Sequence, residues 1–433
     1  MTMGTLAMIV VMLLLMTLGV PVSIAIGVAA LAGVLVTSTP FDVVPRMMIE
    51  SVDSFALLAV PFFVLAGNLL NISGITERIF NFARDMFGWM RGGLAQVTIA
   101  AEMIFSGISG AALADLAGLG VVVIKAMRDQ RYPVPFAAAV MLAACVLGPI
   151  IPPSIVFVIY GLATDTSVGR LFLAGIIPGV VIGILLMIHI SIYMRIKKPD
   201  WGKPEPFAGR KAWGSFKKGA FALLSPFVII GAILAGVATP SEIGAIAAGY
   251  ALLVGFAYGG LSVRGLVDCV KESVIVTAVI MYLIAVSSVM GWIVTTERIA
   301  HDAAQFIAAN VHSPVLGLIV INVLLLVVGT FLETVPALLI LSPILLPVVK
   351  GLGVDPVHFG VIISYNLILG IIHPPLGIGL FVAARVARIT PEQVLSATWP
   401  FFIPLFGGLL IISAVPELSL WLPNTVYAWL GLR

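Results

Sequence analysis

Charge is scarce in this sequence. Only 10% of its 433 residues are Asp, Glu, Lys or Arg, against 61% hydrophobic, and the mean hydropathy is +1.18. A soluble globular chain carries roughly a quarter of its residues charged, so this balance excludes one and points to an integral membrane protein. Polar stretches are short as well; the longest runs over 195–220, too little for a soluble domain. Cysteine is nearly missing. Cys145 and Cys269 lie in or beside apolar runs, which excludes a disulfide framework and a cysteine-based metal cluster. The opening Met1-Thr2-Met3-Gly4 has no Lys or Arg, unlike the basic start of a cleaved signal peptide. HExxH, the nucleophile elbow, Walker A and a cysteine–histidine cluster are all lacking. Hydrolysis and ATP-driven pumping therefore have no motif, and the chain is not expected to be an enzyme or to bind nucleic acid.

What is present is a series of apolar runs of helix length, unlike the weakly alternating ten-residue strands of a barrel. Two of these runs contain stretches that cannot be regular helix. They are Leu147-Gly148-Pro149-Ile150-Ile151-Pro152-Pro153-Ser154 and Leu369-Gly370-Ile371-Ile372-His373-Pro374-Pro375-Leu376-Gly377. Proline lacks the backbone donor and clashes with the carbonyl four residues earlier, and each Pro-Pro pair does this twice. A carbonyl freed in hydrocarbon costs several kcal/mol unless protein, water or an ion satisfies it.

The two breaks are 222 residues apart, and that spacing recurs. Pro178 matches Pro400 at 222, Thr76-Glu77-Arg78-Ile79 recurs as Thr296-Glu297-Arg298-Ile299 at 220, and Pro21 matches Pro240 at 219. The chain reads as a first repeat over 1–195, a basic linker over 196–219 and a second repeat over 220–433. The first has apolar runs at 4–19, 22–37 and 54–71, a helix with mixed faces at 74–92, a small-residue-rich stretch at 94–127, a broken span at 134–163 and a span at 171–195. The second has 220–238, 242–260, 270–293, a polar helix at 295–312, a stretch at 314–350, a broken span at 357–384 and a span at 398–415. The helices 74–92 and 295–312 are too polar to span and read as interfacial arms, with Ile79, Phe87 and Trp89 against lipid or neighbouring helices.

The stretches 94–127 and 314–350 have weak middles, and charge favours reading each as a re-entrant hairpin. The stretch 195–220 carries eight Lys or Arg against Asp200 and Glu205, which places the linker in the cytoplasm. With hairpins, 18 of the 23 basic residues fall inside, and only Arg46, Arg170, Arg298, Lys350 and Arg433 fall outside. A two-span reading of each stretch keeps the same sides. Five spans per repeat then give opposite orientations, so the fold expected is all-α, with two inverted repeats and both termini periplasmic. Broken helices at equivalent places in inverted repeats mark the binding site of a secondary transporter.

The first tip, Ser106-Gly107-Ile108-Ser109-Gly110, combines hydroxyls with glycines that let backbone approach closely. Together with the first break it reads as a Na⁺ site built from Ser106, Gly107, Ser109, Gly148, Ile151 and Pro152. The second is expected from Gly329, Thr330, Glu333, Gly370 and Ile372. Substrate is expected between them, at Ser109, Gly110, Pro153, Ser154, Thr334, His373 and Pro374, where exposed amides and helix N-termini attract an anion. Small-residue helix packing explains single Ser and Gly residues equally well; their clustering in two related tips favours a site. Acids inside apolar runs are functional candidates. Asp115 and Glu333 are candidate coupling acids, Glu102 reads as a cap or a pairing partner, and Glu242 after Thr239-Pro240-Ser241 reads as a helix cap. His189 reads as a hydrogen-bonding residue within a span.

Phe105-Ser106-Gly107-Ile108-Ser109-Gly110-Ala111 through Ala114-Asp115 resembles the first-hairpin signature of the large membrane subunit of tripartite ATP-independent periplasmic (TRAP) transporters. So do Gly148 to Ser154, Pro61-Phe62-Phe63-Val64-Leu65-Ala66-Gly67, and Pro343-Ile344-Leu345-Leu346-Pro347 through Asp355-Pro356-Val357-His358-Phe359-Gly360. The likeness covers nearly the whole chain. It implies a Na⁺-coupled elevator importer of organic-acid anions in the bacterial inner membrane. It further implies a small four-helix membrane subunit, a soluble periplasmic binding protein and surrounding lipid as partners. Where such sequences often carry Thr before the second Pro-Pro, this chain has His373, so its second Na⁺ site leans more on carbonyls. A stand-alone divalent-anion/Na⁺ symporter shares the hairpin plan, and a structural or assembly subunit shares the helices alone. An intramembrane enzyme comes last.

The topology has a direct check. Single cysteines at Lys203 and Arg128, in a Cys145- and Cys269-free background, should label from the cytoplasm, and one at Arg298 from the periplasm. Labelling Arg128 and Lys203 from opposite faces would remove the hairpin and the inverted repeat together.

Overall fold

A computed structural model describes residues 3–37, 39–197, 200–234, 239–298, 313–374 and 377–431. Among these the chain is helical throughout, without a strand. The first half contains α1 (Met3–Thr17), α2 (Val22–Val36), α3 (Val43–Val52), α4 (Ala59–Ile72), α5 (Ile75–Phe87), α6 (Leu94–Ser109), α7 (Ala112–Asp129), α8 (Val134–Ala144), α9 (Ile155–Thr164) and α10 (Val168–Lys197). The second contains α11 (Gly209–Leu234), α12 (Pro240–Ala257), α13 (Val263–Thr296), α14 (Pro314–Phe331), α15 (Thr334–Gly351), α16 (Pro356–Ile372), α17 (Ile378–Ala387), α18 (Pro391–Thr398), α19 (Phe402–Ala414) and α20 (Glu417–Trp429).

Six of these segments are long and apolar enough to cross a membrane, and α4 with α5 would add one more across a 70° bend. That bend follows from the sequence. Ser73-Gly74 ends the apolar run, Gly74 takes a left-handed φ of +73°, and α5 then turns its Ile75, Ile79 and Phe80 inward while Trp89 just beyond it is 53% exposed. Glu242 closes a capping box with Thr239, accepting from its amide at 2.6 Å and giving α12 the expected start. Cys145 and Cys269 are both buried and form no disulfide.

Several boundaries differ from the sequence reading, each for a local reason. The helix expected over 220–238 begins at Gly209, so the second part of the linker is helical; its Lys and Arg lie on a stub ahead of the apolar run. α13 continues to Thr296, which puts the start of the expected 295–312 arm inside a membrane helix; residues 299–312 lie outside the described ones. Three amphipathic or short helices, α3, α18 and α20, occupy stretches that hydropathy left blank. His189, expected to hydrogen-bond a neighbour, lays its ring on Phe401 at 5.1 Å, and its Nε2 makes no hydrogen bond.

The interior interlocks the two halves. α6 and α7 pack together across the two-residue turn Gly110-Ala111, and α14 and α15 across Leu332-Glu333. α7 packs on α17, and α15 packs on α9, so each helix pair touches the broken helix of the other half. A chain of side-chain amides ties α14, α16 and α19. Asn366 Nδ2 donates to the Asn322 carbonyl at 3.0 Å and to its Oδ1 at 2.8 Å, and Asn322 Nδ2 reaches Ser413 Oγ at 3.0 Å. Such polar contacts hold membrane helices together where the hydrophobic effect between them is weak. A second, smaller apolar cluster joins α1, α2 and α13.

One of the closest backbone approaches in this interior is Gly370 on Gly329, where a Cβ on Gly370 would overlap the Gly329 carbonyl. Backbone cannot yield as a side-chain tip can. Gly370→Ala should therefore cost about 1–3 kcal/mol of stability through overpacking. Gly249→Ala in α12, where a Cβ meets nothing within 4 Å, should be neutral or gain roughly 0.5–1 kcal/mol. Thermal unfolding of the two variants in detergent compares them; equal behaviour would show that the Gly329–Gly370 contact is not tight.

Candidate functional site

Each Pro-Pro break is met by the turn of a helix pair. At the first, Gly110 ends α6 with φ +64°, a conformation that favours glycine. A Cβ there would collide with the Pro153 carbonyl and lie 3.4 Å from the Ile155 amide. Gly107 sits one turn back, 3.6 Å from the Pro152 carbonyl by the same construction, and also against Pro226 of α11. The Pro152–Pro153 bond is cis. At the second break Gly329 lies 3.4 Å from Gly370 Cα and from Leu367 by the same measure. The amide of His373 donates to the Gly370 carbonyl at 3.3 Å, and that of Gly377 to the His373 carbonyl at 3.1 Å. Pro374 is half-buried at the turn; Pro375 and Leu376 lie outside the described residues.

Ser106, Gly107 and Ser109 were expected on an unwound tip. The structure keeps them in the last turn of α6, because the left-handed Gly110 postpones the turn to Gly110-Ala111. That placement carries its own chemistry. The last four carbonyls of a helix have no amide within it, and they form the negative end of its dipole. α6 ends with Ser106 to Ser109, and α14 ends with Val328 to Phe331. Both ends abut a break whose own carbonyls are released by proline. The helices that leave these turns, α7, α9, α15 and α17, present N-termini instead, the positive ends of their dipoles. Cation-attracting and anion-attracting backbone thus alternate around the same two junctions.

The side chains divide by what already occupies them. Ser106 is fully buried, and its hydroxyl donates to the Glu102 carbonyl at 2.6 Å, which leaves its lone pairs to accept. The Ser109 side chain lies outside the described residues. Ser154 is engaged locally: its Oγ donates to the Pro149 carbonyl and accepts from the Phe157 amide at 3.2 Å, capping α9. Thr330 bonds back to Leu326 at 2.7 Å within its helix. Thr334 is different, being buried with an Oγ1 that makes no hydrogen bond. Gly148 and Ile372 are buried, and Ile151 packs against Gly179 of α10. Glu333 precedes α15 with an exposed side chain that caps nothing.

Asp115 is brought to the first break. Its Oδ2 lies 2.6 Å from where a Cβ on Gly148 would stand. The Glu102 carboxyl is beside it, and both residues are fully buried. Sequence reasoning treated the two separately; their spacing of 13 residues across a turn gives no signal of pairing. His373 turns its ring onto Phe402 and Phe406 of α19, at 5.9 and 5.8 Å, and its buried Nδ1 makes no hydrogen bond. A cleft of about 450 Å³ lies between α3 and α13 on one wall and α9 and α15 on the other. Hydroxyl-bearing Ser51, Ser54, Ser287 and Ser288 line it among apolar side chains, with no charged residue. Among the described residues no group of three or more His, Cys, Asp or Glu could hold a metal ion.

Comparison with known proteins agrees with this geometry. The family model described as tripartite ATP-independent periplasmic transporter, DctM component, matches residues 9–418. The chain is 42% identical over 408 residues to the sialic acid TRAP transporter large permease protein SiaM of Vibrio cholerae, covering 94% of this chain and 95% of that one. It is 38% identical over 411 residues to the isethionate TRAP transporter permease protein DctMQ of Oleidesulfovibrio alaskensis, covering 94% of this chain and 64% of that longer protein. The crystal structure of the YdaH transporter of Alcanivorax borkumensis matches with a TM-score of 0.61 over 99% of both chains at 16% identity, a likeness of fold. The chain therefore belongs to the DctM family, the large membrane component of TRAP transporters.

Proposed function

We propose that this chain is the transport subunit of a Na⁺-coupled, binding-protein-dependent importer of small organic acids in the inner membrane. The observation that carries this reading is the alternation of helix C-termini and N-termini around two Pro-Pro breaks. A dehydrated sodium ion needs several oxygens at short range. Carbonyls of the last turn of α6 with those of Gly148 to Pro152 supply one set, and Gly329, Thr330, Gly370 and Ile372 supply another. The amide ends of α9 and α15, with Thr334 and His373, suit a carboxylate. Relatives are named for sialic acid, isethionate and C4-dicarboxylates, organic acids of different shape, which fits recognition largely by backbone.

The interlocked α6–α9 and α14–α17 would move as one body against α3, α4, α12 and α13, with Na⁺ organising the tips before substrate binds. The uncharged cleft between α3/α13 and α9/α15 is the kind of wall along which such a body slides without stripping water from a charge. A small helical membrane subunit and a periplasmic binding protein would complete the system, as the family's tripartite description suggests. Asp115 and Glu333 remain the candidate residues for a proton if sodium is not the coupling ion.

Two outcomes check this reading. Uptake into liposomes should require the small subunit and a binding protein; robust uptake by the chain alone would favour a stand-alone symporter. Ser106→Ala and Ser109→Ala should raise the Na⁺ concentration for half-maximal uptake, whereas His373→Thr should leave Na⁺ dependence intact or stronger. The His373 substitution should weaken substrate by roughly 1.5–3 kcal/mol, one charge-assisted hydrogen bond. Uptake that is indifferent to Na⁺ and driven by protons would overturn the sodium assignment.

A further inference from the structure

Two connectors meet on the face expected to be cytoplasmic. Residues 88–93 join α5 to α6, and the linker after α10 leads to α11. They are packed into one another. The Glu205 amide donates to the Gly88 carbonyl at 2.9 Å. A Cβ on Gly93 would stand 3.1 Å from the Lys203 carbonyl and 3.0 Å from the Tyr132 hydroxyl. That hydroxyl donates to the Gly92 carbonyl at 2.8 Å and accepts from the Leu94 amide at 3.1 Å. Trp201 closes the junction, its ring 5.0 Å from Tyr132 and 4.9 Å from Phe136. Gly92 and Gly202, at φ +105° and +72°, take turns that a side chain would strain.

Within this junction is a cleft of about 240 Å³. Three cations line it, Arg91, Arg195 and Lys203, and no acid does. The connectors' own neighbouring acids are Asp85, Asp200 and Glu205, none of which lines the cleft, and Glu205 accepts from Gln130 Nε2 at 3.0 Å. Among the described residues none of the three cations is in an ion pair. Three like charges held around one cleft repel each other until an anion enters. Two guanidinium forks suit the oxygens of a phosphate, with lysine as an added point charge. Met194 and Trp201 on the same lining offer apolar surface beside them, and Trp is at home where headgroups meet hydrocarbon. Basic pockets at the cytoplasmic ends of membrane helices bind acidic headgroups in this way.

The geometry points to a lipid site: the cleft between the two connectors binds the phosphate of an anionic phospholipid, whose glycerol end lies against Met194 and Trp201. The bound lipid bridges the end of α10 to the start of α6 and ties both connectors to the inner leaflet. Binding does not depend on the transport reading, so the two can fail separately.

Native mass spectrometry of the purified chain tests it, after exchange into mixed micelles containing equal phosphatidylglycerol and phosphatidylcholine. The wild type should retain phosphatidylglycerol in preference, and inorganic phosphate at millimolar concentration should not displace it. Arg91→Gln/Arg195→Gln/Lys203→Gln should lose the preference by about tenfold or more, since basic groups near an anionic surface each add to its attraction. Arg210→Gln/Lys217→Gln/Lys218→Gln, three exposed cations on the following helix, should keep it. Equal loss in both triple variants would reduce the effect to diffuse surface charge. No preference in the wild type would also overturn the site, and displacement by free phosphate would make it a phosphate site with no lipid.

Discussion

In a bilayer, a backbone carbonyl without a donor has no water to turn to. That constraint governs this molecule more than any single side-chain contact. Pro152-Pro153 and the sequence around Pro374 interrupt helices where hydrocarbon would otherwise surround them. The chain answers by covering each interruption with the glycine-rich end of a helix pair, Gly107 and Gly110 at one and Gly329 at the other. The cover brings more carbonyls, those of two helix C-termini. The deficit of donors is thereby concentrated at the two junctions.

The interlocking of halves follows. A helix pair that must cap the break of its own half has one face left for other packing, and here that face meets the broken helix of the opposite half, α7 on α17 and α15 on α9. The asparagine chain from Asn366 through Asn322 to Ser413 fastens α14 and α19 to the same body. By contrast, the cleft lined by Ser287 and Ser288, between α3 and α13 on one wall and α9 and α15 on the other, has uncharged walls, although α13 also packs directly on α15. Side-chain amides thus fasten α14, α16 and α19, while the cleft wall is uncharged.

Much of this was legible in the sequence because proline and glycine act locally. The breaks, the helix-pair plan, the capping box at Glu242 and the family likeness all rest on residues whose effect needs no partner. What escaped depended on partners far along the chain. Hydropathy could not place α3 or α20, whose faces are divided between lipid and protein. Nor could it show that Ser154 is held by the Pro149 carbonyl, or that the His373 ring rests on Phe402 and Phe406. The tip itself was misplaced by a few residues, since one left-handed glycine, Gly110, decides where α6 stops. Glu102 and Asp115 became a pair only when the turn between them was folded.

α13 has 34 residues, a rod of about 51 Å at 1.5 Å per residue, while the hydrocarbon core is only about 30 Å thick. Its first turns carry Arg264, Asp268, Lys271 and Glu272 ahead of the apolar run. α11 likewise opens with Arg210, Lys211, Lys217 and Lys218. These stubs stand clear of the oil on one side and cannot be drawn into it. Together they fix the draught of the molecule, the depth at which it floats, much as a keel does. A membrane that thickens or thins would have to deform around α11 and α13 before those helices shifted.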